Sequence, residues 1–332
     1  MKIIFTPLLA GKPWNGRTLV EEPLGGSESA VGFLARAMAK RGHECIVYTH
    51  HPEEGVFEDV TYRNHIQLSY LGQNEFCDIH ISSRWVEILG AIPPEQVKQR
   101  ILWLHDLGVG GTLTCDKAVF LSKYHEERML QGLDIKGAYV VGNGVNLADY
   151  EGYVPLADRE PGKMLWTSNP DRGLHVAARI LQNLRKRWPE LSLHVFGRAA
   201  VYGWDQGQEA PYYPAAEDME NVFFHEPVSK TELAQELKQA WALFYPTTWP
   251  ETYCIATLEA QAAGTPVISV PFGALPETVK GGILDYDFEE AVKDLRHIEV
   301  WDRFSKDGIK HASTRDWNDR AREWEDMLAE EV

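Results

Sequence analysis

Residues 241–270 constrain the fold of this chain more than any other stretch. A short apolar strand at 241–245 runs into a polar loop that holds Glu251, and a helix carrying Glu259 follows. Gly264-Thr265-Pro266 then stops that helix ahead of a second apolar run, 267–270. Strand, helix and strand in this order form a βαβ unit, with the Glu251 loop at the carboxyl end of its first strand. Open α/β sheets bind their ligands at that end.

The chemistry of the loop narrows the ligand. A helix that begins between Cys254 and Ala256 leaves its first amides unpaired and carries partial positive charge there, which suits a phosphate. Glu259 lies about one turn further in, roughly 5 Å along the axis, within reach of a group attached to that phosphate. Glu251 precedes the helix and can accept from hydroxyls on the other side. Carboxylates repel phosphate, so both are expected to bind hydroxyls. A phosphate between two polyols is a nucleotide sugar.

The rest of the chain alternates strands and helices in the same way. Residues 2–6 read as a buried strand, and Ser27 as the cap of a helix with Val31, Leu34, Ala35 and Met38 on its apolar face. Residues 45–48 read as the next strand. Apolar runs at 65–71, 78–82, 100–104 and 117–121 predict further parallel strands. His105 and Asp106 follow the third of these, again at a carboxyl end. Gly108-Val109-Gly110-Gly111 lacks the Lys-Ser/Thr ending of a Walker motif and is read as a flexible cleft loop. The glycines Gly142 and Gly144, together with the polar stretch 148–162 containing Pro155 and Pro161, are read as an interdomain hinge over 142–162. Beyond it, strands are expected at 164–167, 193–197 and 221–225, with a capped helix starting at Ser229 or Lys230.

A chain of 332 residues accommodates about two domains. No apolar run approaches the roughly 18 residues that span a bilayer. The start, MKIIFTPLLAGKPW, lacks the apolar core and cleavage site of a signal peptide, so Met1 is expected to begin the first strand. Cys45, Cys77, Cys115 and Cys254 are scattered and form no C-x-x-C pair, which suggests neither zinc nor disulfides and fits a cytoplasmic setting. With 33 basic against 49 acidic residues the net charge is −16, which disfavours nucleic acid and anionic membranes as partners. The one basic cluster, Arg185-Lys186-Arg187, reads as a solvated helix face.

The string P-E-T-Y-C-I-A-T-L-E-A-Q-A-A-G-T-P-V-I-S, followed by F-G-A-L-P-E-T-V, resembles the E-x7-E signature of retaining GT-B glycosyltransferases of the family-4 type. The resemblance implies an α/β fold of two Rossmann-like, doubly wound domains facing a central cleft. Residues 1–150 would form the acceptor-side domain, 151–314 the nucleotide-sugar domain, and 315–332 a helix packing back on the first. It also implies roles. Glu251 would contact the donor sugar and Glu259 the ribose, while the backbone of Tyr253, Cys254 and Ile255 would hold the phosphates. Gly25 and Gly26, in GGSESAVGFLARAMAKRGHE, match the family's glycine loop, and His105 in W-L-H-D matches a histidine that contacts the donor sugar. Arg172, in S-N-P-D-R-G, takes the place of the family's phosphate-binding lysine. The family's arginine has no counterpart, and Arg198 is the candidate to replace it. The loop 201–216 is a candidate for aromatic contacts to the base.

The implied reaction moves a hexose from a UDP- or GDP-sugar to a hydroxyl of a saccharide or other acceptor with retained configuration. No D-x-D motif stands beside the donor loop, so no metal or other cofactor is expected. A non-hydrolysing nucleotide-sugar 2-epimerase and a catalytically silent nucleotide-binding module share the architecture and stay open at this point.

Overall fold

The computed structural model describes residues 1–8, 11–71, 76–108, 115–130, 137–197 and 210–330. The chain divides into two compact units, Met1–Gly144 with Trp317–Val332 and Val145–Asp316. Among the described residues the first unit has an eight-stranded sheet. Its strands are β1 (Lys2–Pro7), β2 (Glu44–Thr49), β3 (Gly55–Phe57), β4 (Val60–Asn64), β5 (Cys77–Ser83), β6 (Val97–Trp103), β7 (Lys117–Phe120) and β8 (Gly137–Val140). They lie in the order β3-β4-β2-β1-β5-β6-β7-β8, parallel throughout except for β3 against β4. Ile3, Ile4, Phe5, Val47 and Ile101 have no exposed surface, as expected of strands covered on both faces.

The C-terminal helix Trp317–Ala329 belongs to this unit. Trp324 meets Trp103 edge-on with ring centroids 5.0 Å apart, and Glu325 accepts from Arg41 and His43. Lys117, fully buried, donates through Nζ to the carbonyls of Met327 at 2.6 Å and Glu330 at 2.7 Å. A cation at a helix C-terminus is favourably placed, because the last carbonyls carry partial negative charge.

Several expectations are corrected here. Residues 65–71 do not form a strand. The parallel partner of β2 on its outer side is β4, and Asn64 Oδ1 accepts from the Ile66 amide at 3.0 Å, which starts the short helix Ile66–Leu71. The hairpin joining β3 to β4 turns on Glu58 and Asp59, at φ +44° and +64°, without the Asn-Gly pair that advertises such turns. Ser27 is not a cap. The helix Gly26–Lys40 begins two residues earlier than a Ser27 cap would place it, with Gly25 in the capping position, and Ser27 Oγ donates to Glu28. Within the 142–162 stretch, residues after the boundary are bonded into the second unit: Thr231 Oγ1 donates to Asp149 at 2.8 Å and Lys238 Nζ to the Glu151 carbonyl at 2.5 Å. The two units divide at Gly144/Val145, inside that stretch.

The second unit holds β9 (Lys163–Trp166), β10 (Ser192–Val195), β11 (Val222–Phe224), β12 (Ala242–Tyr245), β13 (Val267–Ser269) and β14 (Gly282–Leu284). Their order is β11-β10-β9-β12-β13-β14, all parallel. The chain winds outward from β9 to β11, then returns to the far side of β9 as β12. The order reverses between β9 and β12, and a crevice opens there at the carboxyl ends. Two helices frame it. Lys230–Gln239 starts with a capping box between Ser229 and Glu232. Ile255–Ala262 is fixed by buried Gln261, which donates to the Thr257 and Thr278 carbonyls and accepts from the amides of Lys280 and Gly281. Among the described residues no helix is long and apolar enough to cross a membrane.

The buried histidines make stability depend on pH. His80, on β5, shares a 3.0 Å hydrogen bond with Thr6 Oγ1, and burial, aided by Arg100, pushes its pKa down to about 3. The imidazole is neutral in the fold and protonates near 6.5 when unfolded. Its contribution is therefore complete above that value and is lost as pH falls toward 3, at about 1.4 kcal/mol per pH unit. Urea unfolding at pH 5 is expected to show about 2 kcal/mol less stability than at pH 7 from this residue alone. His80→Asn should remove that part of the slope, and an unchanged slope would assign it elsewhere.

Candidate active site

The crevice between β9 and β12 is built from two loops stitched together. After β9, Asn169 caps the short turn Pro170–Arg172, and Gly173 follows at φ +118°. After β12, the Thr248 amide and the Thr247 hydroxyl both donate to the Arg172 carbonyl at 2.9 Å. A Cβ on Gly173 would lie 3.1 Å from the Thr248 amide nitrogen in a conformation that side chains avoid. Glycine at this position is what lets the loops close.

Arg172 lies with its guanidinium 4.2 Å above the Trp249 ring, a stacking that holds the planar group flat. Its Nη1 is 3.9 Å from Glu251 Oε1, and its Nε is 3.3 Å from Asp171 Oδ1. Glu251 is 9% exposed and accepts from the Tyr245 hydroxyl at 2.5 Å. Burial pushes the Glu251 carboxyl above its usual range, Arg172 and the Tyr245 hydroxyl pull it back, and Asp171 adds a further push upward. Behind Glu251, the Ala274 amide donates to its carbonyl at 2.8 Å. Gly273, at φ +63°, passes so close that a Cβ would lie 2.6 Å from the Glu251 amide nitrogen. The F-G-A-L-P-E-T-V stretch is therefore the wall that fixes the Glu251 backbone.

Tyr253 and Cys254 are buried, and Cys254 caps the Ile255–Ala262 helix in the left-handed region, φ +71°. Its carbonyl accepts from the amide and hydroxyl of Thr257. Burial, with Glu251 next, raises the Cys254 thiol pKa well above its usual value, so the sulfur is a packed apolar group and not a nucleophile. Ile255 and Ala256 are half-exposed, and their amides have no partner within the helix. Deeper in, Glu259 is 5% exposed and its Oε1 accepts from Lys230 Nζ at 2.6 Å.

The structure thus brings Arg172, Glu251, Tyr253, Cys254, Ile255 and Glu259 together in the second unit. Gly25, Gly26 and His105 belong to the first unit. Gly25 sits at φ −61°, which any residue adopts, so its turn does not require glycine. His105 follows β6 with its ring 4.7 Å from Trp103. Burial, then the charges of Arg84 and His125, hold its pKa well below the usual value, which leaves a neutral imidazole at pH 7. Arg198, Val109 to Gly111, and most of the 201–216 loop lie outside the described residues.

Sequence reasoning passed over Tyr245, Asp171, Trp249 and Lys230. Tyr245 and Trp249 stand beside the quoted string, but nothing local tells a buried strand tyrosine from a ligand of Glu251. Lys230 was visible only as a helix start. A D-x-D string, Asp285-Tyr286-Asp287, follows β14. Asp287 caps the helix Phe288–Leu295 by accepting from the Glu290 amide, and Asp285 accepts from the Asp287 amide. These bonds give both carboxylates a local structural use.

The comparisons with known proteins bear on the fold. Over 98% of both chains the structure matches sucrose-phosphate synthase from Thermosynechococcus elongatus, with a TM-score of 0.74 at 16% identity. It matches Anabaena HepE, solved with UDP-glucose, over 99% of both chains with a TM-score of 0.73 at 15% identity. The fold is GT-B. Within this GT-B chain, residues 164–313 match the family model described as "Glycosyl transferases group 1". The D-inositol 3-phosphate glycosyltransferase of Frankia alni is 32% identical over 115 residues, which is 34% of this chain and 28% of that protein. The chain thus spans under a third of that relative's length.

Proposed function

We propose that the chain is a retaining glycosyltransferase of the family-4 type that moves a hexose from a UDP- or GDP-sugar to an acceptor hydroxyl without a metal. The observation that carries this reading is the grouping of Arg172, Glu251 and the open Ile255–Ala256 amides where the strand order reverses, inside the stretch that matches a glycosyltransferase family. In this reading Arg172 and the helix amides take up the charge of the leaving diphosphate. Glu251, fixed by Tyr245, accepts from hydroxyls of the transferred sugar, and Glu259 accepts from the ribose. His105, neutral at pH 7, is assigned to the sugar as well. The acceptor is assigned to the first unit, and the cytoplasm is the expected setting.

Retention follows from attack on the face that the leaving group departs. The bond from the anomeric carbon to the phosphate oxygen breaks as the acceptor oxygen bonds to the same face, and the acceptor proton passes to the departing phosphate. Glu251 is held by a hydroxyl at 2.5 Å and flanked by a guanidinium, an arrangement suited to orienting a sugar and poorly suited to forming an ester with it.

The test is a panel of UDP- and GDP-hexoses with hydroxyl acceptors in excess EDTA. Acceptor-dependent release of nucleoside diphosphate and a product with the donor's anomeric configuration are expected. Loss of turnover in chelator with recovery on Mg²⁺ or Mn²⁺, or a glycosyl ester trapped on Glu251, overturns the mechanism.

A further inference from the structure

The pairing of Lys230 with Glu259 has no place in the scheme above. We infer that Lys230 is a positioning residue that aims the Glu259 carboxylate at the ribose and so sets discrimination between ribonucleotide and deoxyribonucleotide ligands. The inference rests on the assignment of Glu259 to the ribose.

Three elements of the second unit converge on this carboxylate. Glu259 comes from the Ile255–Ala262 helix, with only 7% of its side chain exposed, and Lys230 comes from the first turn of Lys230–Gln239, with 20% exposed. The third is the turn Leu147–Tyr150. It is tied to the Lys230 helix by the Asp149–Thr231 bond, and burial, then the charges of Glu259 and Asp149, raise the pKa of the Tyr150 phenol well above its usual value. The position of Lys230 is itself fixed twice. The Ser229–Glu232 capping box sets the helix start, and the neighbouring Thr231 is tied by its hydroxyl to Asp149 at 2.8 Å.

The geometry divides the carboxylate in two. Oε1 is taken by Lys230 Nζ at 2.6 Å, while Oε2 accepts no hydrogen bond from another residue among those described. A carboxylate has about four lone-pair sites, so a bond on one oxygen fixes the plane of the group and leaves the other free to accept from a vicinal diol. An ammonium suits this task. Its three N–H donors let it bond Oε1 from the neighbouring helix start. Without Lys230 the side chain would be free to rotate, and the two ribose hydroxyls would lose a preset partner.

The measurement is calorimetric affinity for UDP and GDP and for their 2′,3′-dideoxy counterparts. For the unaltered chain the dideoxy compounds are expected to bind at least about tenfold more weakly, the lower end for a hydrogen bond to a charged group. Lys230→Met should weaken the ribonucleotides about tenfold and leave the dideoxy affinities within about twofold, so that discrimination collapses. Lys230→Arg should restore most of it. On a Glu259→Gln background, Lys230→Met should cost little more, because both act on one interaction. If Lys230→Met weakens both ligand classes equally, or if its effect adds in full to Glu259→Gln, Lys230 is a structural residue only and the inference is wrong. If the unaltered chain binds ribo and dideoxy forms alike, the assignment of Glu259 fails first, a result distinct from the other two.

Discussion

Arg172→Ala is expected to lower turnover by about 10²- to 10³-fold, the range for removing one preorganised donor from a developing anion. The residue is 27% exposed and its carbonyl, not its side chain, stitches the two loops, so the fold should survive. Two effects reach the chemistry. The leaving diphosphate loses its cation, and Glu251 loses the nearest charge that opposes the upward push of burial on its pKa. The acid limb of the rate profile should therefore move to higher pH in the variant. Arg172→Lys should recover only part of the activity, since an ammonium neither stacks flat on Trp249 nor donates in a planar fork. Steady-state rates across pH, with unfolding curves as a control, make the measurement. Turnover within about threefold of the parent would remove Arg172 from the phosphate site.

The second large effect concerns stability. Arg159 is 4% exposed and donates to five acceptors: the carbonyls of Val154, Leu237, Ala240 and Ala263 and the hydroxyl of Thr265. Its guanidinium also lies 4.8 Å from the Trp301 ring. None of these partners is a carboxylate. The charge is met by the carbonyls at the C-terminal ends of Lys230–Gln239 and Ile255–Ala262, where helix dipoles present their negative poles. Burial lowers its pKa to about 10, so it remains protonated at neutral pH. Arg159→Met keeps most of the stem but orphans these acceptors. A loss of about 3–5 kcal/mol is expected, as for breaking a buried charge pair, against a typical total of about 5–15 kcal/mol. Denaturant unfolding followed by circular dichroism, parent against variant, makes the measurement. A loss below about 1 kcal/mol would show that solvent or rearranged bonds replace the guanidinium.

The reach of the sequence follows the range of the forces involved. The Ser229–Glu232 capping box, the helix start after Cys254 and the stop at Gly264 each depend on bonds within a few residues, so local reading found them. Strands buried on both faces appear as unbroken apolar runs, which located β1, β2, β5, β6, β7 and β12 to within a few residues. The same signal misled at 65–71, because a short apolar run does not choose between strand and helix. There the choice was made by Asn64 and by the pairing of β4 with β2.

What only the tertiary structure decided is which distant groups meet. Arg172 and Glu251 approach because β9 and β12 are neighbours. That adjacency is a property of strand order, which is set by packing the whole sheet. Lys230 reaches Glu259, and Arg159 gathers two helix ends, for the same reason: each contact joins elements whose own sequences are satisfied without it. The carboxylates that would hold the ligand were readable as residue types at a spacing. The groups that hold those carboxylates, Tyr245, Arg172 and Lys230, are selected by distance in space, and a linear pattern does not encode it.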